Sequence, residues 1–264
     1  MNWGFIGCGN LAQAIISGAL NQGLLKPENV FASDTMAEKL QAYAKKSGIT
    51  QAKDNFELIE KCDVIVLATK PQDLGTVLEE ISLEITPRHT VISLAAGVET
   101  KAILKHLHSA GHVFRVMANT AAMVQAGVFG IYAAKASPEM KKLVEDFFGA
   151  LGVVASLKSD KEVNAITSGS ASGTGFVLMF MEEFEKWLRT KKIPAASARE
   201  ITLKTFEGAA RLGKLRSDQT LGQLREAVTS KKGTTFAGLS TMKKAGVGKG
   251  ISKGLEAAFK RALE

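Results

Sequence analysis

Cysteine is nearly absent from this chain. Cys8 and Cys62 are the only two in 264 residues, too few for a disulfide scaffold. Both stand in apolar, core-like contexts, so a reduced protein with two packed thiols is expected. Long apolar runs are missing as well. No stretch reaches the roughly 18 residues that a membrane-spanning helix needs, so no membrane span is expected. The start, Met1-Asn2-Trp3-Gly4-Phe5-Ile6, has no basic segment followed by a cleavable apolar one, so a cytoplasmic location is expected. The formal charge is +8, yet the lysines and arginines are scattered rather than interleaved with aromatics, which make up only 6% of the chain. That argues against nucleic acid as a partner and suits attraction of an anionic cofactor and substrate. His106, His108 and His112 invite a metal reading, but positions 106 and 108 share no helix face and Gly111 interrupts the helix. Solvated histidines and no metal are expected there. Neither Ser170 nor Ser172 has a recognisable His and Asp for a hydrolase triad.

What is present is a sizeable apolar fraction, 45%, arranged with two different rhythms. In the first half, short apolar runs alternate with helical patterns. Strands are predicted over 2–6, 30–33, 62–68, 90–94 and 112–117, with helices over 11–21, 37–47, 74–81 and 100–107 between them. Segments 128–133 and 153–156 extend the sheet, with a helix between them started by Ser137-Pro138-Glu139. This is the pattern of βαβ units, hence an α/β Rossmann-type doubly wound parallel sheet. From about residue 162 no strand is convincing. Helical periodicity runs over 164–190, 195–212, 220–228, 235–244 and 250–263, an all-α C-terminal domain. The expected division is residues 1–160 and 161–264. The run Phe176-Val-Leu-Met-Phe-Met181 is apolar on all sides and suits a core or a dimer interface.

The sharpest local signal is Gly7-Cys8-Gly9-Asn10-Leu11-Ala12, a G-x-G-x-x-A turn after the first strand. Gly7 permits the tight turn, Gly9 lets backbone approach a pyrophosphate, and Ala12 lets helix and strand pack closely. The helix that follows offers free N–H groups and the positive end of its dipole. Cys8 in this turn reads as a small filler. The second strand ends at Ser33-Asp34. An acid there suits the ribose 2′-hydroxyl of NAD, or it caps the next helix. No Arg follows directly to hold a 2′-phosphate, although Ser33 and Lys39 are near in sequence. NADPH and NADH therefore both stand.

Three further segments follow buried strands: Ala68-Thr69-Lys70-Pro71-Gln72, Ser93-Leu94-Ala95-Ala96-Gly97-Val98 and Arg115-Val116-Met117-Ala118-Asn119-Thr120. Carboxyl ends of strands are where open α/β sheets bind ligands. Together with the first strand and turn, and with Leu224-Arg225-Glu226-Ala227-Val228-Thr229-Ser230-Lys231-Lys232-Gly233-Thr234-Thr235-Phe236-Ala237-Gly238-Leu239, the chain resembles the pyrroline-5-carboxylate reductases. The last segment resembles that family's LRDxVTSPGGTTIAGL signature. The resemblance implies reduction of 1-pyrroline-5-carboxylate to proline with NADPH or NADH. It also implies a Rossmann domain, and a helical domain that makes a homodimer and often a decamer. It places the cofactor against Ile6, Gly7, Cys8, Gly9, Asn10, Leu11, Ser33, Asn55, Ala68, Thr69, Lys70, Pro71, Leu94, Ala95, Ala96 and Gly97, with Asp34 and Asn119 at the same strand ends. It places the substrate carboxylate at Ser230, Gly233, Thr234 and Thr235, with Thr235 also donating near the ring nitrogen as the catalytic residue, and with Asp160 and Asp218 close by.

The sequence departs from the family where the substrate would sit. Lys231 and Lys232 replace a Pro and a Gly of SPGGTT, and Ser170 to Val177 lacks the proline and one glycine of SGSGPAYV. Ala118 and Ala121 stand where prolines flank Asn-Thr. Three readings follow: retained activity, a different cyclic imine or related small acid, or a non-catalytic cofactor-binding paralogue. A hydroxy-acid dehydrogenase of similar build places a lysine on the interdomain helix. Here that helix carries Ser170, Ser172 and Thr174, with no lysine until Lys186.

Overall fold

The computed structural model describes residues 1–263, and these form two compact units. The first spans residues 1–172 together with the end of the last helix from Ala258; the second runs from Gly173 to Ala257. The first unit contains β1 (Trp3–Ile6), α1 (Asn10–Asn21), β2 (Val30–Ser33), α2 (Ala37–Ser47), β3 (Thr50–Gln51), α3 (Asn55–Lys61), β4 (Val64–Leu67) and α4 (Pro71–Ile81). It continues with β5 (Thr90–Ser93), α5 (Thr100–His106), β6 (His112–Met117), β7 (Gly127–Lys135), α6 (Pro138–Gly149), β8 (Gly152–Leu157) and α7 (Asp160–Ile166).

The eight strands form one sheet in the order β3-β2-β1-β4-β5-β6-β7-β8. Chain order reverses between β1 and β4, which creates the crevice where doubly wound sheets bind ligands. Alternation along the strands builds two cores. Trp3, Phe5, Val64 and Val66 join α1, α2 and α6 on one face. Ile6, Ile65 and Leu67 join α3, α4 and α5 on the other. Strands buried on both faces read as unbroken apolar runs, as β4 does.

The expected all-parallel sheet needs correction at one pair: β6 and β7 run antiparallel. The connection over 118–126 holds a 3-10 turn at Thr120–Val124 and is too short for the crossover that parallel neighbours need. Parallel pairing resumes at β7 and β8, across α6. Helix α4 starts at Pro71, with the proline in its first turn, where its missing N–H costs nothing.

The expected helix over 164–190 is instead α7, a π-helical turn at Thr167–Ala171, and α8 (Ser172–Thr190). The Thr167 and Ser168 hydroxyls donate back to the carbonyls of Val163 and Asn164, competing with the regular ladder. The first compact unit includes this turn and runs to Ser172. The second unit is all-helical: α8, α9 (Ala195–Leu215), α10 (Leu221–Ala227), α11 (Thr234–Lys244) and most of α12 (Val247–Leu263). Helix α8 buries no residue completely and exposes Val177, Leu178, Met179, Phe184 and Trp187. Among the described residues no helix is long and apolar enough to cross a membrane.

Candidate functional site

The carboxyl ends of β1, β2, β4, β5 and β6 gather most of the expected cofactor residues. Gly7 follows β1 with φ +92, in the region that side chains avoid, and a Cβ there would lie 2.8 Å from the backbone of Ala68. Its amide donates to Ser33 O at 2.8 Å, and the Ala68 amide donates to Ile6 O at 2.8 Å, so the turn is sewn to β2 and to the end of β4. Gly9 is the N-cap of α1 and gives no side-chain cap. A Cβ on Gly9 would meet nothing within 4 Å, and the first N–H groups of α1, including those of Asn10 and Leu11, have no carbonyl partner within their own helix. This is an anion cradle built from backbone.

Asp34 accepts a backbone amide at each of its carboxylate oxygens. Its Oδ2 accepts from the Cys8 amide at 2.6 Å and its Oδ1 from the Met36 amide at 2.8 Å, so it ties the glycine turn to the approach of α2. The N-cap of α2 is Met36, with no side-chain cap, so Asp34 is not the cap. Beside it, Ser33 Oγ donates to Asn55 Oδ1 at 2.6 Å, and Asn55 Nδ2 donates to Glu80 Oε2 at 3.0 Å. Sequence reasoning missed this Glu80 contact, because its link to Asn55 spans two helices. Burial, then the Asp34 charge, pushes the Cys8 thiol up to about 12, which fits a filler rather than a nucleophile.

The β4 and β5 strips take their expected places. The buried Thr69 hydroxyl finds no hydrogen-bond partner among the described residues, an orphaned polar atom that a ligand at this edge would satisfy. Lys70 is the exposed N-cap of α4, ahead of Pro71. Leu94 and Ala95 are buried, Ala96 is half-buried, and Gly97 turns the chain outward with φ +74. The glycine cradle, the open α1 terminus and the Thr69 hydroxyl suit the pyrophosphate and ribose of a dinucleotide.

Two of the residues expected near ligands also make contacts within the scaffold. Asp160 caps α5 by accepting from Thr100 N at 3.2 Å and Thr100 Oγ1 at 2.8 Å, and it also pairs with Arg115 Nη1 at 2.8 Å. Arg115 is fully buried on β6, and its Nη2 donates to Asn164 at 2.7 Å. A buried cation needs such partners, and the network locks α7 and α5 to the sheet. Asn119 accepts from Val128 N at 3.3 Å and donates to Ser170 Oγ at 3.1 Å in the π-helical turn.

The remaining expected residues lie in the second unit. Ser230, Lys231, Lys232 and Gly233 form a β-turn closed by Gly233 N donating to Ser230 O at 3.0 Å, with Lys232 at φ +60. Gly233 is the N-cap of α11 and brings no side chain, so the first amides of that helix, at Thr234 and Thr235, are left for a ligand. Asp218 is exposed in the connection between α9 and α10. Among the described residues no group of three His, Cys, Asp or Glu side chains could hold a metal. His112 Nδ1 accepts from the Ser137 amide.

Comparison with known proteins agrees with this geometry. A family model described as pyrroline-5-carboxylate reductase dimerisation matches residues 160–264, and one described as NADP oxidoreductase coenzyme F420-dependent matches residues 2–97. The chain is 33% identical to the pyrroline-5-carboxylate reductase of Methanosarcina acetivorans, across 99% of this chain and 96% of that one. The crystal structure of Plasmodium falciparum pyrroline carboxylate reductase with NADP bound superposes with a TM-score of 0.91, at 26% identity over 100% of this chain and 97% of that one. A pyrroline-5-carboxylate reductase from Coxiella burnetii gives a TM-score of 0.85 at 32% identity, over 99% of this chain and 97% of that one. The glycine cradle at the switch point, the helical second unit and this full-length identity together place the chain in the pyrroline-5-carboxylate reductase family.

Proposed function

We propose that this protein reduces 1-pyrroline-5-carboxylate to L-proline with NADPH or NADH, the last step of proline synthesis, in the cytoplasm. The observation that carries the cofactor half is the cradle of Gly7 and Gly9, with the unpartnered Thr69 hydroxyl at the same sheet edge. The substrate half rests on family membership and on the uncapped start of α11. Residues 1–160 act as the dinucleotide domain and 161–264 as the substrate and dimerisation domain. The exposed apolar side chains of α8 support burial against a second copy, and the homodimer is the building block of a decamer.

When bound, the reduced nicotinamide supplies the hydride that the imine carbon accepts. The chain's own work is placement and charge. The α1 terminus and the Thr69 hydroxyl hold the dinucleotide. The amides of Thr234 and Thr235 receive the substrate carboxylate at the positive end of α11, while Lys231 and Lys232 raise the local attraction for anions. The Thr235 hydroxyl donates to the ring nitrogen as its lone pair is restored. No strong acid is required, because a protonated imine is already a good electrophile, and holding the reactants in register provides most of the gain.

The test is complementation: the gene should restore growth without proline to a bacterium lacking its own reductase, and a Thr235→Val variant should restore it poorly. A soluble, dinucleotide-binding protein that fails to complement would sink the substrate assignment. The exposed Lys231-Lys232 pair favours one second reading, a related cyclic imine bearing an additional acid group; kcat/KM across a panel of cyclic imines separates the two.

A further inference from the structure

Burying an arginine is unfavourable, and Arg115 is buried completely within β6. Its Nη1 donates to Asp160 Oδ1 at 2.8 Å and its Nη2 to Asn164 Oδ1 at 2.7 Å, while Nε finds no partner among the described residues. A buried ion pair rarely stabilises more than well-packed apolar side chains of the same size, and an N–H left without an acceptor weakens it further. Stability alone therefore does not account for an arginine at this position. What the pair does achieve is to hold one carboxylate in a fixed place.

That carboxylate is directed at a connection. Asp160 receives the Thr100 amide at 3.2 Å on each oxygen, and the Thr100 hydroxyl at 2.8 Å on Oδ2. Thr100 opens α5, whose own N-cap, Glu99, gives no side-chain cap. Asp160 supplies that cap from the start of α7. Thr100 is also where the connection from β5 ends. At its beginning, the Ala95 amide donates to the buried Ser93 Oγ at 3.4 Å, and Ser93 stands opposite Arg115 in the sheet register. The residues between, Leu94, Ala95, Ala96, Gly97 and Val98, carry no polar side chain, so what they offer a ligand at the carboxyl end of β5 is the placement of their backbone. We propose that Arg115 and Asp160 are positioning residues for hydride transfer. Acting through Thr100, they set the height of the 94–99 backbone above the sheet, and so the depth at which the nicotinamide ring seats. This rests on the dinucleotide and imine readings above and adds a role to them. The glycine cradle holds the other end of the dinucleotide, so a shift here costs rate rather than affinity.

The experiment compares Thr100→Val and Thr100→Ser with the wild type in the full-length protein. Valine removes the 2.8 Å hydroxyl bond but keeps the amide bonds to Asp160 and the Arg115–Asp160 pair, so no buried charge is left alone. Serine restores the hydroxyl. Four quantities are read: melting temperature, dinucleotide Kd, amide hydrogen exchange over 94–100 without dinucleotide, and kcat on 1-pyrroline-5-carboxylate with dinucleotide protonated or deuterated at the transferred position. In Thr100→Val, exchange over 94–100 should quicken by about tenfold while the rest of the sheet is unchanged. The Kd should stay within about twofold, and kcat should fall by about tenfold or more, as a misplaced reactant requires. The deuterium effect on kcat should grow, because hydride transfer then limits turnover in place of product release. Thr100→Ser should return all of these toward the wild type. Unchanged kcat and isotope effect in Thr100→Val would overturn the proposal and leave the function intact. So would a loss of kcat that serine does not rescue, or one matched by equal losses of Kd and melting temperature, which would mark a merely structural bond. Wild-type protein that binds dinucleotide but does not oxidise it with 1-pyrroline-5-carboxylate would overturn the substrate reading, and this proposal with it.

Discussion

Replacing Lys232 by glycine should stabilise the protein although it removes a side chain and adds no contact. Lys232 sits at φ +60 in the third position of a turn closed by the Gly233 amide on Ser230 O. A turn with positive φ at its third residue favours proline second and glycine third, the order the family signature supplies. Holding a side-chain-bearing residue in that left-handed region costs roughly 1–2 kcal/mol. Glycine relieves this but gains freedom in the unfolded chain, an opposing effect of about 0.4–1 kcal/mol. The net is a stabilisation of roughly 0.5–1 kcal/mol, a rise in melting temperature of about 1–3 °C for a chain of this size. The assay is thermal unfolding at one fixed protein concentration, since assembly shifts the midpoint by mass action. Lys232→Ala is the control. It deletes the same charge but keeps the left-handed residue, so it should stabilise little, while any rise in KM from the lost charge should be shared by both variants. Equal stabilisation by alanine and glycine would refute the backbone argument and assign the effect to charge.

Other consequences follow from the same geometry. Gly7→Ala should destabilise by about 2–4 kcal/mol, combining the positive φ with overpacking against Ala68, and abolish dinucleotide binding. Gly9→Ala should fold normally, since nothing stands within 4 Å, yet lose about tenfold in dinucleotide Kd, or 1.4 kcal/mol; calorimetry and melting curves on the pair check both. Asp160→Asn leaves the fully buried Arg115 uncompensated and should cost about 3 kcal/mol in urea unfolding. His89 is buried, accepting from the Thr86 amide at Nδ1 and directing Nε2 at Ile59 O, and burial holds its pKa below the ordinary 6.5. Below 6.5 the unfolded chain takes up the proton first, so stability should fall as pH drops from 6.5 through the lower folded value. Melting temperatures from pH 7.5 to 5.5 should show that slope, and His89→Asn should flatten it.

Much of this was legible in the residues because local rules and tertiary burial agree. The unbroken apolar run of β4 and the glycine turn after β1 specify the sheet and its crevice without any long-range information. Helix α3 escaped the reading of the sequence although Asp54 caps it by accepting from Glu57 N at 2.8 Å; its 7 residues, about two turns, are too few for periodicity to stand out. The antiparallel β7 was missed because strand direction depends on connection length, not on composition. Asp160 and Asn119 carry residue types suited to ligands, and only the fold shows their partners to be Thr100, Arg115, Val128 and Ser170. The Ser33–Asn55–Glu80 chain is likewise a product of topology, joining the end of β2 to two helices.

The most direct test of the central claim is oxidation of reduced dinucleotide by the purified protein, followed at 340 nm with 1-pyrroline-5-carboxylate and with proline quantified as product. The account predicts turnover with one proline formed per dinucleotide oxidised. Tight dinucleotide binding with no oxidation in the presence of 1-pyrroline-5-carboxylate would contradict it, and would mean that the Lys231-Lys232 turn serves a different acid or no turnover at all.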